Sequence, residues 1–446
     1  MTHSIIQKSQ LKGAQRIDAE YYQPEYLELI DNLNKIGAVP IRNIATNPKR
    51  KFCPKKDEYF NYIEISEVIL STGEYNKSKI IGSEAPDRAQ WIVEKNDVIL
   101  STVRPIRNAI SLINEDSSHL VCSSGFAVLK PKEIEPEYLF TYLKSKPIVK
   151  LLDRQTTATM YPAITAEDVL NTKIFLGNEN FRNAIKDLII DSQKKLGDSK
   201  KFIKQAEDLL LEELGLKDFD QGNDLFSIVQ YGDVIIANRS DAEYFQPKFQ
   251  RLFDILKTKN PKKLGELVLI KKGFEPGADE YQNEGKPFIR VSNLSKNGLI
   301  DGDQKYLNED LYQKLKPEYQ PEVGEILMTK DATPGIAYVL KEQIEGIISS
   351  GILRLIMKNQ INLEYLSLVL NSIVGQMQAE RDAGGSIIAH WKPEEIKNVV
   401  IPILPPSTQQ KIADLVRQSH TARQKSKELL EEAKRKVEEM IEKGGE

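Results

Sequence analysis

Along this chain the spacing of apolar residues changes period several times, and the same succession of changes occurs twice. Tyr26, Leu27, Leu29, Ile30 and Leu33 recur at helical spacing, as do Leu252, Phe253, Ile255 and Leu256 in the second half. Short β-branched runs bounded by Gly, Pro, Asn and Asp follow, for example 63–65, 98–100 and 126–129, and these read as strands. A further helix is expected around 138–143 and 365–370, then a short closing strand at 173–176 and 399–403. Each half therefore predicts an α+β domain.

Both halves end in a long predicted helix, 180–214 and 407–442. The second carries Ile412, Leu415, Ser419, Ala422, Ser426, Leu429 and Ala433, alternating by three and four as in a coiled-coil seam. The first offers Ile185, Leu188, Ser192, Ser199, Phe202 and Ala206 at the matching places, with Lys195 against Ala422 as the mismatch. Small seam residues favour a close mutual pair, because a helix lying on a sheet has no need of a seven-residue repeat. The alternative is that each helix packs separately on its own domain.

The repetition is also literal. Arg16-Ile17-Asp18-Ala19-Glu20-Tyr21-Tyr22-Gln23-Pro24 returns as Arg239-Ser240-Asp241-Ala242-Glu243-Tyr244-Phe245-Gln246-Pro247. Ser4-Ile5-Ile6-Gln7 matches Ser227-Ile228-Val229-Gln230, and Ser123-Ser124-Gly125 matches Ser349-Ser350-Gly351. The expected organisation is a first domain over 1–178, a long helix over 179–215 and a linker over 216–225. A second domain over 226–406 and a second long helix over 407–446 complete it.

Composition narrows the function only by exclusion. The net charge of −3 argues against a surface that is basic throughout. Two cysteines, Cys53 and Cys122, exclude a disulfide framework and fit a reducing cytoplasm. No apolar run is long enough to span a bilayer, and no signal peptide is visible. His3, His119, His390 and His420 are scattered, so no metal site is expected.

Catalytic and cofactor motifs are absent from the sequence. There is no Walker loop, no Gly-x-Gly-x-x-Gly turn, and no Asn/Asp-Pro-Pro-aromatic motif of an amino-group DNA methyltransferase. Pro86-Asp87 lacks the spaced acidic-x-Lys pair of a metal-dependent nuclease, since Glu94 is followed directly by Lys95. Asp18, Glu20, Asp241 and Glu243 stand beside a helix start, where capping and packing explain them. The expectation is a binding protein with no catalytic residue, cofactor or metal of its own.

The second half closes with Gly384-Gly385-Ser386, then Lys392-Pro393-Glu394-Glu395-Ile396, then Val400-Ile401-Pro402-Ile403-Leu404-Pro405-Pro406 and Ser407-Thr408-Gln409-Gln410-Lys411-Ile412. With the twofold order of domain and long helix, this segment resembles the specificity subunits of type I restriction–modification systems. The first half departs from the pattern, with Thr157-Ala158-Thr159 for the Gly-Ser turn and Gly177-Asn178 for the prolines. The resemblance spans nearly the whole chain. It implies two α/β target-recognition domains, each reading half of a bipartite duplex DNA site, and two long helices forming an antiparallel coiled-coil-like ruler. It further implies two modification (adenine methyltransferase) subunits as partners and motor-nuclease restriction subunits in the full complex. A duplicated protein-binding adaptor, or a specificity subunit of another methylation or defence assembly, is the alternative.

Basic residues near expected loops are the candidate DNA contacts: Lys49, Arg50, Lys51, Arg104 and Arg107 in the first half, Lys271, Lys272, Arg290 and Lys330 in the second. Arg154 and Arg381 hold equivalent places before the closing turns and join the set. Trp91 and Trp391 are expected in the core or at subunit contacts.

Overall fold

The computed structural model describes residues 4–7, 11, 16–116, 119–157, 160–222, 226–300, 304–384 and 389–443. The chain divides into two compact units, Met1–Leu196 with Gln424–Glu446, and Gly197–Arg423. Both long helices form, Glu179–Leu214 and Pro406–Glu442. Each is shared between the units: the first unit takes the opening half of one and the closing half of the other. The middles of the two closing turns, including Gly385 and Ser386 in one and Ala158 and Thr159 in the other, lie outside the described residues.

The first unit is built on two four-stranded sheets. One is antiparallel, in the order Ala45–Thr46, Phe126–Pro131, Val98–Ser101, Ile110–Leu112. The other runs Ser78–Ile81, Tyr59–Ile63, Leu120–Ser123, Ala89–Ile92, with Tyr59–Ile63 and Leu120–Ser123 parallel. All four residues of Val98–Ser101 are buried, as expected of a short apolar strand covered on both faces. Helices Pro136–Lys144 and Lys146–Arg154 pack beside them, and Tyr138, Leu143 and Ile148 enter the same core as Leu430, Ala433 and Val437 of the second long helix.

The second unit repeats the antiparallel sheet and the parallel pair of this frame. Val268–Lys272, Ile352–Met357, Ile326–Thr329 and Ala337–Val339 form the antiparallel sheet. The parallel pair returns as Lys286–Ile289 with Ile347–Ile348. Registers agree: Val98 pairs with Leu129 as Ile326 pairs with Leu355, and Ile63 with Cys122 as Ile289 with Ile348. The additions to the frame differ. Where the first unit adds strand Ala89–Ile92, the second adds helix Glu309–Tyr319.

Within the first unit Ser192 Oγ donates to the Ser426 carbonyl at 2.8 Å. Within the second, Ser419 Oγ donates to the Ser199 carbonyl at 2.8 Å. Seven residues forward on one helix correspond to seven back on the other, so the helices run antiparallel. The seam also lies one position away from part of its expected line. Ile185, Ser192, Ala206, Ile412, Ser419, Ser426 and Ala433 are buried on it. Leu188, Phe202, Leu415 and Leu429 are only half-buried, and the intervening seam places go to Ile189, Val416 and Leu430. Ile189 and Leu430 join the core of the first unit and Val416 that of the second.

Candidate nucleic-acid interface

The duplicated Arg-x-Asp segment forms the same construction twice. Arg16 holds Asp18 through two nitrogens at 2.9 and 2.7 Å, and Arg239 holds Asp241 at 2.8 and 2.7 Å. The pairing arginine keeps each carboxyl below the usual range. Asp18 precedes the helical turn Ala19–Tyr22 but makes no side-chain cap, because its carboxylate is taken by Arg16. For Asp18 this corrects the capping half of the expectation. The Ser4 hydroxyl donates to the Tyr22 carbonyl, and the Ser227 hydroxyl to the Phe245 carbonyl.

Arg154 and Arg381 belong to these constructions. The Arg154 guanidinium stands 3.7 Å from the Tyr21 ring centroid, and its Nε donates to the Tyr21 carbonyl at 2.6 Å. Arg381 stands 5.0 Å from Tyr244 and 4.4 Å from Phe253, and binds Asp382 at 2.7 Å. Both are engaged within their own domain.

Arg50 is engaged as well. It pairs with Glu94 and with the buried Asp97, whose carboxyl is pushed up by burial and drawn back by the Glu94 amide and by Arg50. Asp97 precedes strand Val98–Ser101 as Glu325 precedes Ile326–Thr329, and Glu325 is paired too. Its partner is Arg354, at 2.7 Å through both Nε and Nη2, with both residues buried. The frame thus pairs a cation with this carboxylate in both halves, from the segment after Ala45–Thr46 in one and from strand Ile352–Met357 in the other. Lys330 is mostly buried and bonded to Asp331, which also holds His390 at 2.8 Å.

The loops after the central strands match between units. Arg104, with φ +48°, donates its amide to the Pro162 carbonyl at 2.7 Å; Ala332, with φ +61°, donates to Ala389 at 2.9 Å. Bridges Val103–Ala163 and Thr157–Ala163 return as Asp331–His390 and Gly384–His390. The Arg104 guanidinium stands 5.6 Å from the ring of Tyr161, an exposed aromatic that the sequence reading passed over. Arg107 is exposed beside it, and Arg290 is half-buried after strand Lys286–Ile289. Lys49, Lys51, Lys271 and Lys272 are exposed, the first two in the segment after strand Ala45–Thr46 and the last two at the end of strand Val268–Lys272. Trp391 is fully buried and Trp91 half-buried on a strand, both within their own domains. No cluster of metal-ligating residues occurs among the described residues, and no described helix is long and apolar enough to cross a membrane.

Two copies of one frame, equal in register and unequal in their loops and additions, joined through an antiparallel helix pair, define a duplicated recognition protein. Residues 37–211 and 257–435 each match the family model of the type I restriction modification DNA specificity domain, and the chain belongs to that family. It is 24% identical over 140 residues to the type I restriction enzyme HindI specificity subunit of Haemophilus influenzae, a match spanning 29% of this chain and 30% of that relative's length. Among solved structures it is similar to the HsdS subunit from Thermoanaerobacter tengcongensis, with 21% identity, 91% of this chain and 95% of that one covered, and a TM-score of 0.34. The S subunit from M. genitalium gives 14% identity, the same coverages and a TM-score of 0.39.

Proposed function

We propose that the chain is the DNA-reading subunit of a type I restriction–modification complex in the cytoplasm, each repeated domain reading one half of a bipartite duplex site. The observation that carries this reading is the match of both halves to a DNA specificity domain, on frames alike in register but different in loops. Methyl transfer and cleavage then belong to two modification subunits and to the restriction subunits. The domains are 1–178 and 226–406, with 216–225 as linker. The long helices, 179–215 and 407–446, set the gap between half-sites and dock the modification subunits. Their buried apolar residues face the seam and the domain cores, which leaves charged faces such as 425–442 for partners.

The candidate DNA contacts fall into two groups. Lys49, Lys51, Arg107, Lys271 and Lys272, with exposed side chains, neutralise phosphates or meet base edges. Arg50, Arg104, Arg154, Arg290, Lys330 and Arg381 hold the loops that do so. The experiment is co-expression with the cognate modification subunit, followed by mapping of methylated adenines. A bipartite motif is expected, and replacing residues of about 17–176 with those of a relative should change one half of it. A change in both halves, or in neither, refutes the assignment.

A further inference from the structure

In the second unit, strand Val268–Lys272 runs out at Gly273, where a Cβ would lie 2.2 Å from the Ser349 carbonyl oxygen. Only glycine passes there. The close passage brings Lys271 and Lys272 to one cleft of about 480 Å³ with Glu275, Glu318, Tyr319 and Ser350. Phe274 and Tyr319, ring centroids 5.3 Å apart, make its apolar wall, and the Ser350 hydroxyl donates to Glu275. Lys271, Lys272, Glu275 and Glu318 are exposed, and none of the four forms a salt bridge among the described residues.

The first unit also has a cleft, but in a different place: it opens where strands Tyr59–Ile63 and Leu120–Ser123 begin, at Tyr59 and His119, whereas the second unit's lies past the end of the matching strand Ile347–Ile348, at Ser350. The first unit's cleft measures about 200 Å³ and is lined by Lys55, Glu58, Tyr59 and His119 over a wall of Phe52 and Phe60, 4.6 Å apart. Its Glu58 is paired with Lys55 at 2.9 Å, whereas the second unit's cleft sets exposed lysines and carboxylates side by side against an aromatic wall.

That mixture selects among the parts of DNA. A phosphate offers only acceptors and repels a carboxylate. A base edge in the major groove offers acceptors at guanine O6 and N7 and donors at cytosine N4 and adenine N6. We propose that the second unit's cleft is the base-reading centre of its domain. Glu275 and Glu318 accept from the exocyclic amine of cytosine or adenine, while Lys271 and Lys272 donate to purine acceptors or the adjoining phosphate. This rests on the DNA-reading function proposed above.

The test uses the complex with modification subunits, comparing wild type with Glu275→Ala and Glu318→Ala, which remove the acceptor that glutamine would keep. Methylated sites are mapped, and binding is competed with duplexes carrying each base at each position. Loss of a carboxylate acceptor in the second cleft should cut discrimination at one base pair of one half-site by roughly ten- to a hundredfold, leaving the other half-site unchanged. Affinity for a duplex lacking the site is measured alongside. Tighter non-specific binding with an unchanged motif would place the carboxylates against phosphate and overturn the proposal, as would unchanged preference at every position. Failure of the wild-type complex to methylate a bipartite motif would instead overturn the DNA-reading function itself.

Discussion

Ser192 and Ser426 meet twice over: Ser192 Oγ reaches the Ser426 carbonyl at 2.8 Å and its hydroxyl oxygen at 3.0 Å. In the repeat, Ser192 corresponds to Ser419 and Ser426 to Ser199, and Ser419 makes the same two contacts with Ser199. The duplicated sequence thus supplies each unit with one serine from each helix. A hydroxyl on a short side chain can bond the opposing backbone only where the helices come close, and a larger residue would hold them apart.

Ser192→Ala should therefore cost about 1 kcal/mol, the ordinary net worth of one buried hydrogen bond. Ser192→Leu should cost about 1–3 kcal/mol through overpacking, although leucine is the better helix former. Denaturant midpoints with unchanged m-values check both. If leucine is as well tolerated as alanine, the close approach is wrong.

The buried Glu325–Arg354 pair predicts an asymmetry. Arg354→Met leaves a buried carboxylate without its partner and should destabilise by about 3–5 kcal/mol. Adding Glu325→Leu to that variant should recover most of the loss, since the pair's own desolvation cost disappears with it. Urea unfolding of the two single variants and the double variant measures this. Equal stability of Arg354→Met and the double variant would count against the pair.

Lys144 is wholly buried, its Nζ donating to the Leu70 and Asn108 carbonyls at 3.0 and 3.1 Å. Burial, helped by Lys434 and opposed by Glu431, pulls its pKa from 10.5 down to about 7. Between those values the unfolded chain binds the proton more tightly, so stability rises with pH across that window; below about 7 the full cost is present. Relative to Lys144→Met, the wild type should gain up to about 1.4 kcal/mol per pH unit above neutrality. Parallel pH profiles of the two proteins would remove the lysine from consideration.

How much of this was legible in sequence follows from what kind of signal each feature leaves. Helices Pro24–Lys35 and Glu179–Leu214 and strand Val98–Ser101 lie within a residue or two of expectation, because apolar period and Pro or Gly boundaries are local. The pairing order was not legible: Tyr59–Ile63 lies parallel to Leu120–Ser123, a partner nearly sixty residues away. For the interface, sequence showed positive charge but not its engagement. Arg50 and Lys51 are neighbours, yet one is held by Asp97 and the other is exposed, which depends on a carboxylate far along the chain. Glu275 and Glu318 escaped notice because a search for basic residues discards acceptors. The one sequence signal for their cleft was Lys271-Lys272 running into Gly273.

The antiparallel register also fixes how the proposed ruler must be tested. Repeat-equivalent positions such as Ala206 and Ala433 do not face each other, because the residue numbers of facing serines run in opposite directions: 192 with 426, and 199 with 419. Heptads inserted at equivalent positions would throw both seams out of register. Opposed insertions belong between those contacts, after Lys195 in one helix and after Ala422 in the other. Seven residues at each point keep the seam in phase and add about 10 Å of helix at 1.5 Å per residue. At about 3.4 Å per base pair, the gap between methylated half-sites should lengthen by about three base pairs. The half-site sequences should stay as they are, since the clefts and loops lie in the domains. Mapping of methylated adenines for the altered chain with its modification partner gives both quantities at once. An active insertion variant that keeps the original gap refutes the ruler and leaves the helices as docking surfaces.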